Sequence, residues 1–537
     1  MTSPDSPSTP VEGSQPKRWW QSKFAPLLLL LVGVVLVYGQ VTSFSFVNWD
    51  DTSYVYRNPQ LLHPERFSLS DRWFPKRFGY PIPLTVLSYK IDQWLYQVPM
   101  AGKTNVTHGQ GHHLTNLLLW LGLLTLLYQL CLSLVRSRWA AFGGVAVFAF
   151  HPTTAETVAW VTGRKELLVT LFGVASVYAM LRFFRSPTTH KMLWLILWSG
   201  LAMLSKPNAV FLVPLLLWWV VAKPKTEEAS RSAKPSWGLL GAIGGFFVAS
   251  SLTLVAVGAL WQSKLGALET KRPLLEILDR ALWALGYHIR MFWVPVQLRV
   301  KYIVGPDGFD MYHALGLLAL IIALVVLLHP KTRRGIPALA TALIVAAYLP
   351  SSNLLPLRRF IADTYLFLPM VGVSVLVTWA LHQTGKSLQS HLRIPALLGV
   401  IVLLGGLGFL TYQQVGVWKN SATLWKHSYK FHPNSPKLCR MLGMAYNETT
   451  QNKKAAATYE HCIKKFGPRL YRNNLGITYA MMQEWDKAEA QFRAILRKNP
   501  NHRRARYFLR MIQHQKKRRV PRTRGKQRSK PKRSQKP

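Results

Sequence analysis

Cysteine is rare in this sequence, which has only three cysteines among 537 residues, at positions Cys131, Cys439 and Cys462. Three cysteines cannot form the framework of a disulfide-rich scaffold. The cysteines and the 16 histidines also show no closely spaced metal-binding motif. We therefore expect no protein-built metal site and exclude a zinc hydrolase, while a divalent cation that enters with a substrate phosphate stays open.

Acidic residues are also few, since 22 Asp and Glu stand against 67 Lys and Arg, which gives a net charge of +45. Sixteen of the basic residues and no acidic residue follow residue 502. Such a run can bind nucleic acid, anionic lipid or an acidic polymer, or it can be a solvated tail. We expect a disordered basic tail over 511–537 and no nucleic-acid partner. No glycine-rich nucleotide loop occurs, which argues against a soluble nucleotide-sugar enzyme.

Long apolar runs, in contrast, are frequent between residues 24 and 416, and 49% of all residues are hydrophobic. Many of these runs approach the ~20 residues that cross a bilayer as a helix. We predict an all-α fold in which a polytopic membrane helix bundle of about eleven spans occupies 24–416, after a disordered basic N-terminus at 1–23. The spans are expected at 24–43, 112–135, 138–151, 157–184, 192–204, 207–222, 237–261, 312–329, 335–350, 362–382 and 394–416. The amphipathic segment 274–297 is predicted to be interfacial or re-entrant.

The connections between these spans differ in charge. If the N-terminus is cytoplasmic, the inner connections include 182–191, 223–234 and 386–393, all of which are basic, as the positive-inside rule requires. The outer connections then include the large loop 44–110. This orientation places the C-terminal module on the non-cytoplasmic face, which is periplasmic in a bacterium and lumenal in an endoplasmic reticulum.

The segment 417–510 repeats a helical pattern. The positions that recur are Gly443, Ala455 and Tyr459 in one copy and Gly476, Ala488 and Phe492 in the next. This spacing is typical of tetratricopeptide (TPR) repeats, whose period is about 34 residues, and predicts a short α-solenoid that binds a peptide or a partner protein. Cys439 and Cys462 fall on facing helices of one repeat. Two buried thiols are expected there, with a disulfide as the alternative in an oxidising compartment.

Two adjacent carboxylates, Asp50 and Asp51, follow the first predicted span. Each carboxylate opposes ionisation of the other, so at least one pKa should rise, and such a pair can accept a proton from a substrate hydroxyl. The alternative is a solvated turn in which one Asp caps a short helix.

Several cations share the outer face with this pair, and they are Arg164, Lys165, Lys206, Arg358 and Arg359. Fixed cations could bind a phosphate. Each cation also has a purely structural alternative. Arg164 could form a salt bridge with Glu156 or Glu166. Lys206 could extend its ammonium group to the membrane surface, and the pair Arg358 and Arg359 could anchor the protein at the membrane interface.

The order of short motifs is similar to that of the transmembrane and tetratricopeptide repeat-containing O-mannosyltransferase family, especially its bacterial relatives. The motifs are Asn48-Trp49-Asp50-Asp51, Ile82-Pro83-Leu84-Thr85, His113-Leu114-Thr115-Asn116, His151-Pro152 with Glu156 and Arg164-Lys165, Ser205-Lys206-Pro207, Pro350 with Asn353, and Ala362-Asp363 with Tyr365, followed by the TPR repeats. The resemblance covers about residues 44–510. At Thr364 the family often has an Arg, for which Arg358 or Arg359 could substitute.

The resemblance implies a GT-C fold, a polyprenyl-phosphate sugar donor, inversion at the sugar carbon and an active site on the non-cytoplasmic face. It also implies that the first outer loop carries the catalytic acid, so we expect Asp50 to be the base and Asp51 to hold the acceptor or tune the base. Arg164, Lys165 and Lys206 are then candidates for the donor phosphate, together with the arginine pair. His113, Asn116, His151, Glu156, Asp363 and Tyr365 are expected to support the site.

We therefore predict a membrane glycosyltransferase that moves a sugar to a hydroxyl group on a protein or an envelope glycan, with the TPR module presenting the acceptor or a partner. One rival is a catalytically inactive membrane scaffold for envelope assembly. The other is a lipid transporter, which the one-sided placement of the charges disfavours, because a transport path crosses the bilayer midplane.

Overall fold

The computed structural model of the protein describes residues 24–66, 82–96, 109–222 and 272–519. All regular structure in these ranges is helical, without a strand, as the all-α prediction requires. The chain divides into two compact units, Met1–Asn420 and Ser421–Pro537. This division lies close to the boundary expected at residue 417.

Eighteen described helices have ten or more residues. Twelve lie in the first unit: α1 Ala25–Tyr38, α2 Pro83–Tyr96, α3 Gln110–Val135, α4 Arg138–Ala149, α5 Arg164–Arg185, α6 Thr189–Ser205, α7 Leu212–Ala222, α8 Leu274–Trp293, α9 Met311–Leu328, α10 Ile336–Tyr348, α11 Met370–Ser387 and α12 Ser390–Val417. Six lie in the second unit: α13 Ser421–Phe431, α14 Pro436–Glu448, α15 Asn452–Phe466, α16 Arg472–Met481, α17 Trp485–Lys498 and α18 Arg503–Arg519.

Five described segments are long and apolar enough to cross a membrane. They are Ala25–Ser43, Gln110–Val135, Val161–Arg185, Met311–Leu328 and Ser390–Val417. Three shorter apolar helices are Arg138–Ala149, Pro207–Ala222 and Ile336–Ser351. The number of eleven spans stays a prediction, and the span expected at 237–261 lies outside the described residues.

One predicted helix start is wrong. The span expected from residue 362 begins only at Met370, and Asp363–Tyr365 form a separate single turn of 3₁₀-helix. Pro369 stands at the N-cap of α11, where its missing N–H breaks no helical hydrogen bond. Asp363 and Tyr365 therefore lie on a loop rather than inside a membrane helix.

Close helix packing in the first unit depends on small residues. α5 packs along α6, and α4 packs along α11. A side chain at Gly144 of α4 would collide with Ser374 and Thr378 of α11. Small residues allow two helix backbones to approach where no water drives apolar association.

The predicted amphipathic segment forms α8, which packs against α9. Trp283, Tyr287 and Met291 of α8 are buried, whereas Leu275 and Trp293 are exposed. The helix therefore has one buried face and one exposed face, as the amphipathic sequence pattern predicts.

The second unit is built from helix pairs. Gly443 of α14 lies against the ring of Tyr459 in α15, and Gly476 of α16 lies against the ring of Phe492 in α17. The same contact therefore recurs in two successive pairs. α18 then packs on α17 and continues to Arg519, past residue 511 where the tail was expected to start.

The expectation of two free thiols in this unit is wrong, because Cys439 and Cys462 form a disulfide. The contact between Gly443 and Tyr459 holds α14 and α15 together. The Cα atoms of the two cysteines are consequently 6.1 Å apart, within the range that a disulfide spans. Cys131 is a free, buried cysteine.

Candidate active site

The segment 151–166, which joins α4 to α5 and includes the first residues of α5, is the frame of the candidate site. It contains two short helical turns, Pro152–Thr154 and Val161–Gly163, on either side of the helix Ala155–Ala159. A side chain at Gly163 would collide with the backbone of Thr157, so this turn requires glycine. Just after this turn, Lys165 of α5 contacts Tyr54 in the loop that follows α1.

Asp51 connects the loop after α1 to the segment 151–166 through hydrogen bonds. Its Oδ2 accepts a hydrogen bond from the N–H of Val47 at 3.0 Å. Its Oδ1 accepts the N–H of Thr162 at 3.0 Å and the Thr162 hydroxyl at 2.5 Å. The residue is fully buried. Both carboxylate oxygens are therefore occupied by protein donors, and Asp51 acts on the position of the loop.

The electrostatics of Asp51 follow from this burial. Burial, with a smaller contribution from the neighbouring carboxylate of Asp50, raises the pKa of Asp51 to about 6. The hydrogen bonds from Thr162 and Val47 oppose this rise in pKa. The pKa of Asp51 is thus raised mainly by burial, and only to a smaller extent by the repulsion between carboxylates that the sequence led us to expect.

Asp50 differs from its neighbour. Its side chain is half-buried, and in the part of the chain that the structure describes it forms no hydrogen bond or ion pair. Its backbone carbonyl accepts the N–H groups of Ser53 and Tyr54, each at 2.9 Å. The carboxylate is therefore held on an ordered turn and is the one of the pair that a substrate could engage.

Lys165 lies beside this turn. Its Nζ is 4.7 Å from the ring centre of Tyr54 and 5.3 Å from that of Trp160. Such cation–π contacts help to hold an ammonium group in place. The structure thus brings Lys165 and the Asp50 turn together through Tyr54.

Arg164, in contrast, is enclosed by protein groups. It is fully buried, forms an ion pair with Asp92 at 2.5 Å and donates to Oδ1 of Asn116 and the carbonyl of His112, both at 2.8 Å. Its Nη1 reaches the backbone carbonyl of Ser88 at 3.3 Å. This arrangement ties α2, α3 and α5 together, and a phosphate contact would require the release of one of these bonds.

Lys206 and Glu166 form a second buried ion pair. The hydroxyl of Thr85 donates to the carbonyl of Ser205 at 2.9 Å, which positions the residue before Lys206. From the sequence, a salt bridge between Glu166 and Arg164 was an alternative to phosphate binding. Glu166 does form a salt bridge, but with Lys206 and not with Arg164.

A third pair joins the connection to the loop before α11. Nη1 and Nη2 of Arg359 lie 2.5 and 3.1 Å from the two carboxylate oxygens of Glu156. Glu156 is fully buried, whereas 22% of the Arg359 side chain is exposed. Nε of Arg359 is buried and has no hydrogen-bond partner in the described part of the chain. Arg358, its neighbour, is exposed.

Asp363 and Tyr365 support this loop. Asp363 is buried and accepts a hydrogen bond from the Tyr302 hydroxyl at 2.5 Å. The Tyr365 hydroxyl donates to the carbonyl of Arg359 at 2.6 Å. The two residues thus fix the backbone that presents Arg359.

The predicted histidines and Asn116 also have positioning contacts. His151 lies with Nε2 at 2.9 Å from the carbonyl of Phe292, so Nε2–H is the donor. His113 lies with Nε2 at 3.4 Å from the carbonyl of Ser45. The Asn116 amide donates to the carbonyl of Trp160 at 3.0 Å. All three residues connect neighbouring elements to the loop after α1 or to the connection 151–166.

Several residues of this network escaped the sequence analysis: Asp92, Thr162, Tyr302 and the pairing role of Glu166. The role of Asp92 could have been inferred from the sequence, because an acidic residue among apolar residues of a helix needs a cationic partner. Thr162 and Tyr302 had none, since hydroxyl residues are common in every kind of segment. Among the described residues, no three His, Cys, Asp or Glu side chains are grouped so that they could hold a metal ion.

Comparison with known proteins agrees with the resemblance in the motifs. Residues 105–254 match the family model described as dolichyl-phosphate-mannose-protein mannosyltransferase, and residues 474–502 match a tetratricopeptide repeat model. A Caenorhabditis elegans protein O-mannosyl-transferase is 26% identical over an alignment of length 342 that covers 60% of this chain and 46% of the worm protein. The human protein O-mannosyl-transferase TMTC4 is 25% identical over an alignment of length 484 that covers 77% of this chain and 63% of the human protein.

Among solved structures, an Archaeoglobus fulgidus oligosaccharyltransferase in complex with an inhibitory peptide and a dolichol phosphate aligns with a TM-score of 0.44 at 12% identity. The alignment covers 78% of this chain and 59% of the archaeal chain. The curated relatives and the two family models confirm the resemblance to the TPR-containing O-mannosyltransferases. The chain spans less than two thirds of the length of these relatives.

Proposed function

We propose that this protein is a membrane glycosyltransferase that moves a sugar, with mannose as the first candidate, from a polyprenyl-phosphate donor to a hydroxyl group of a protein or an envelope glycan. One observation carries the proposal. Asp50 offers a carboxylate without a protein partner in the described residues, on a turn that Asp51 fixes through Thr162. A general base needs this combination of a fixed position and an unoccupied oxygen.

The proposed reaction is a single displacement. The acceptor hydroxyl oxygen attacks the anomeric carbon while Asp50 takes the hydroxyl proton. The bond between that carbon and the phosphate oxygen breaks, and the polyprenyl phosphate leaves with the bonding electrons. Attack opposite to the leaving group inverts the anomeric carbon. The proton on Asp50 then passes to solvent, so the products are the glycosylated acceptor and the lipid phosphate.

The leaving phosphate needs a cation, and Arg359 is the best candidate. Its free Nε–H would be satisfied by a phosphate oxygen, and its carboxylate partner Glu156 fixes the guanidinium plane. Lys165 is the second candidate, because its ammonium lies on the ring of Tyr54, a residue of the turn that follows Asp50. Arg164 and Lys206 have carboxylate partners, so we assign them to positioning the helices. A divalent cation could enter with the donor phosphate, so assays need arms with and without Mg²⁺.

The TPR unit is proposed to present the acceptor protein or a partner on the non-cytoplasmic face, with the N-terminus in the cytoplasm and membrane lipids around the spans. The disulfide between Cys439 and Cys462 supports this placement, because stable disulfides are formed mainly in oxidising compartments. The acceptor would reach Asp50 from the same side of the membrane.

The purified full-length protein in lipid should be tested with a panel of polyprenyl-phosphate sugars and a Ser/Thr-rich acceptor peptide. Anomeric configuration of the product, read by NMR, tests the proposed inversion. The Asp50→Asn variant should lose transfer with every donor that the wild type uses. Transfer by Asp50→Asn at the wild-type rate would refute the assignment of the base.

The rival function is a catalytically inactive scaffold, and one observation favours it. Three of the expected phosphate-binding cations, Arg164, Lys206 and Arg359, are ion-paired with carboxylates. A scaffold would release no lipid phosphate from any donor and would still bind its partner through the TPR unit. Capture of a partner that is lost on changes in the TPR unit, and not on Asp50→Asn, would favour this rival.

A further inference from the structure

A groove of about 610 Å³ lies along the contact of α5 with α6. Its wall contains a stack of three aromatic side chains. The ring centres of Phe172 and Trp198 are 5.9 Å apart, and those of Trp198 and Trp194 are 5.6 Å apart. The volume lies in the range of small-molecule sites in proteins. The groove can therefore hold a flexible apolar chain.

One end of the groove is cationic. Arg182 and Lys191 line it there together with His190. Nη1 of Arg182 donates to the Tyr178 hydroxyl at 3.1 Å, and Nζ of Lys191 donates to the carbonyl of Ser186 at 3.0 Å. In the described part of the chain, neither Arg182 nor Lys191 is paired with a carboxylate.

Two further arginines lie near this end of the groove. Arg185 lies within the electrostatic influence of both Arg136 and Arg182. At the same end, Nε1 of Trp194 donates to Nε2 of His190 at 2.9 Å, which turns the indole N–H toward the polar end. Tryptophan with its apolar body in the chain region and its N–H near a headgroup is typical of a membrane interface.

This groove end is separate from the candidate active site. Arg182 follows Arg164 along the same helix, α5, and eighteen residues of helix correspond to about 27 Å. The two ends of α5 therefore face opposite sides of a membrane that the helix crosses.

We propose that the groove binds an anionic phospholipid, with the headgroup phosphate between Arg182 and Lys191 and one acyl chain along Phe172, Trp198 and Trp194. The apolar wall fits the chain, and the two cations without carboxylate partners fit a net negative headgroup. A zwitterionic lipid carries its own cation and would leave the positive field uncompensated. This inference does not depend on the proposed glycosyl transfer.

The test uses the full-length protein in nanodiscs of phosphatidylcholine with an equal share of phosphatidylglycerol. Native mass spectrometry counts the lipids that stay bound after transfer into detergent. The Arg182→Gln/Lys191→Gln variant removes both cations. Its matched control is Lys331→Gln/Arg333→Gln, which removes two exposed cations from the connection between α9 and α10. The Ala179→Trp variant fills the groove and keeps both cations, because Ala179 lies in its lining.

We expect the wild type to retain phosphatidylglycerol over phosphatidylcholine, and the Arg182/Lys191 variant to retain roughly tenfold less of it. Ala179→Trp should lose the bound lipid, and the Lys331/Arg333 control should match the wild type. A thermal melt checks that each variant is folded, and Ala175→Leu replaces Ala179→Trp if the latter unfolds. Equal retention of both lipids, or an equal loss in the control, would overturn the proposal.

Discussion

Oδ1 of Asp51 accepts two hydrogen bonds from one residue, the amide and the hydroxyl of Thr162, at 3.0 and 2.5 Å. This contact joins the loop after α1 to the connection 151–166, 111 residues later in the chain. Since the same connection carries Glu156, which binds Arg359, it fixes two separate parts of the candidate site. The position of Asp50 thus depends on a contact that its own local sequence does not contain.

Replacement of Asp51 by Asn should destabilise the protein. An amide retains one acceptor oxygen, and its NH₂ group would face an N–H donor, either that of Val47 or that of Thr162. A buried donor without an acceptor costs about 1–3 kcal/mol, so we expect a lower melting temperature. The exposed Asp307 provides the control substitution Asp307→Asn. A melting temperature for Asp51→Asn equal to that of the control would contradict the anchoring role.

The ionisation of Asp51 should also make stability depend on pH. Burial raises its pKa in the folded state to about 6, above the ordinary value of 3.8, so the folded state binds the proton more tightly than the unfolded state. The free energy of unfolding therefore falls as the pH rises from about 4 to about 6. Melting curves of the wild type and of Asp51→Asn across this range isolate the effect. If the difference in melting temperature between the wild type and Asp51→Asn does not change with pH, Asp51 does not have the raised pKa.

The pair of Glu156 and Arg359 should be strongly coupled. Removing Glu156 alone leaves a largely buried guanidinium without its carboxylate, which costs about 3–5 kcal/mol. We expect Glu156→Leu to be much less stable than the double variant Glu156→Leu/Arg359→Met, because the double variant leaves no unpaired buried charge. A double-mutant cycle in thermal stability measures this coupling.

The same pair also tests the phosphate role. Arg359→Lys keeps the charge and loses the bidentate contact, so we expect a higher KM for the donor with a modest loss of stability. A KM equal to that of the wild type would place the donor phosphate elsewhere.

The disulfide gives a prediction for the second unit. Cys439 and Cys462 enclose a segment with a sequence separation of 23 residues, and loss of a cross-link of this size typically costs about 2–4 kcal/mol. The Cys439→Ser/Cys462→Ser variant should therefore melt at a lower temperature than the wild type, and reduction of the wild type should give the same shift. Cys131→Ser is the control, because this cysteine is free. Maleimide labelling of both Cys439 and Cys462 in unreduced protein from the host would contradict the disulfide.

The sequence predicted those features that depend on local patterns. Apolar run length and repeat spacing were sufficient for most of the long apolar helices of the first unit and for the paired helices of the second unit. They did not predict α2, Pro83–Tyr96, which lies in the loop 44–110. The pairings of the charged groups were not predictable in the same way. Glu166 binds Lys206 and not Arg164, and Arg164 instead meets Asp92 from α2, since these contacts depend on which helices become neighbours. α11 begins only at Met370, after Pro369 at its N-cap. This proline is a local signal for a helix start, but it lies within an apolar run that was read as one continuous helix.

The most direct test of the account compares lipid-phosphate release by the wild type, Asp50→Asn, Asp51→Asn and Asp307→Asn with one accepted donor and acceptor. Loss of a general base lowers the rate by about 10²–10⁴-fold, so we expect this loss in Asp50→Asn with an unchanged melting temperature. Asp307→Asn should equal the wild type, and Asp51→Asn should lose both activity and stability. Release at the wild-type rate by a folded Asp50→Asn protein would contradict the claim that Asp50 is the base.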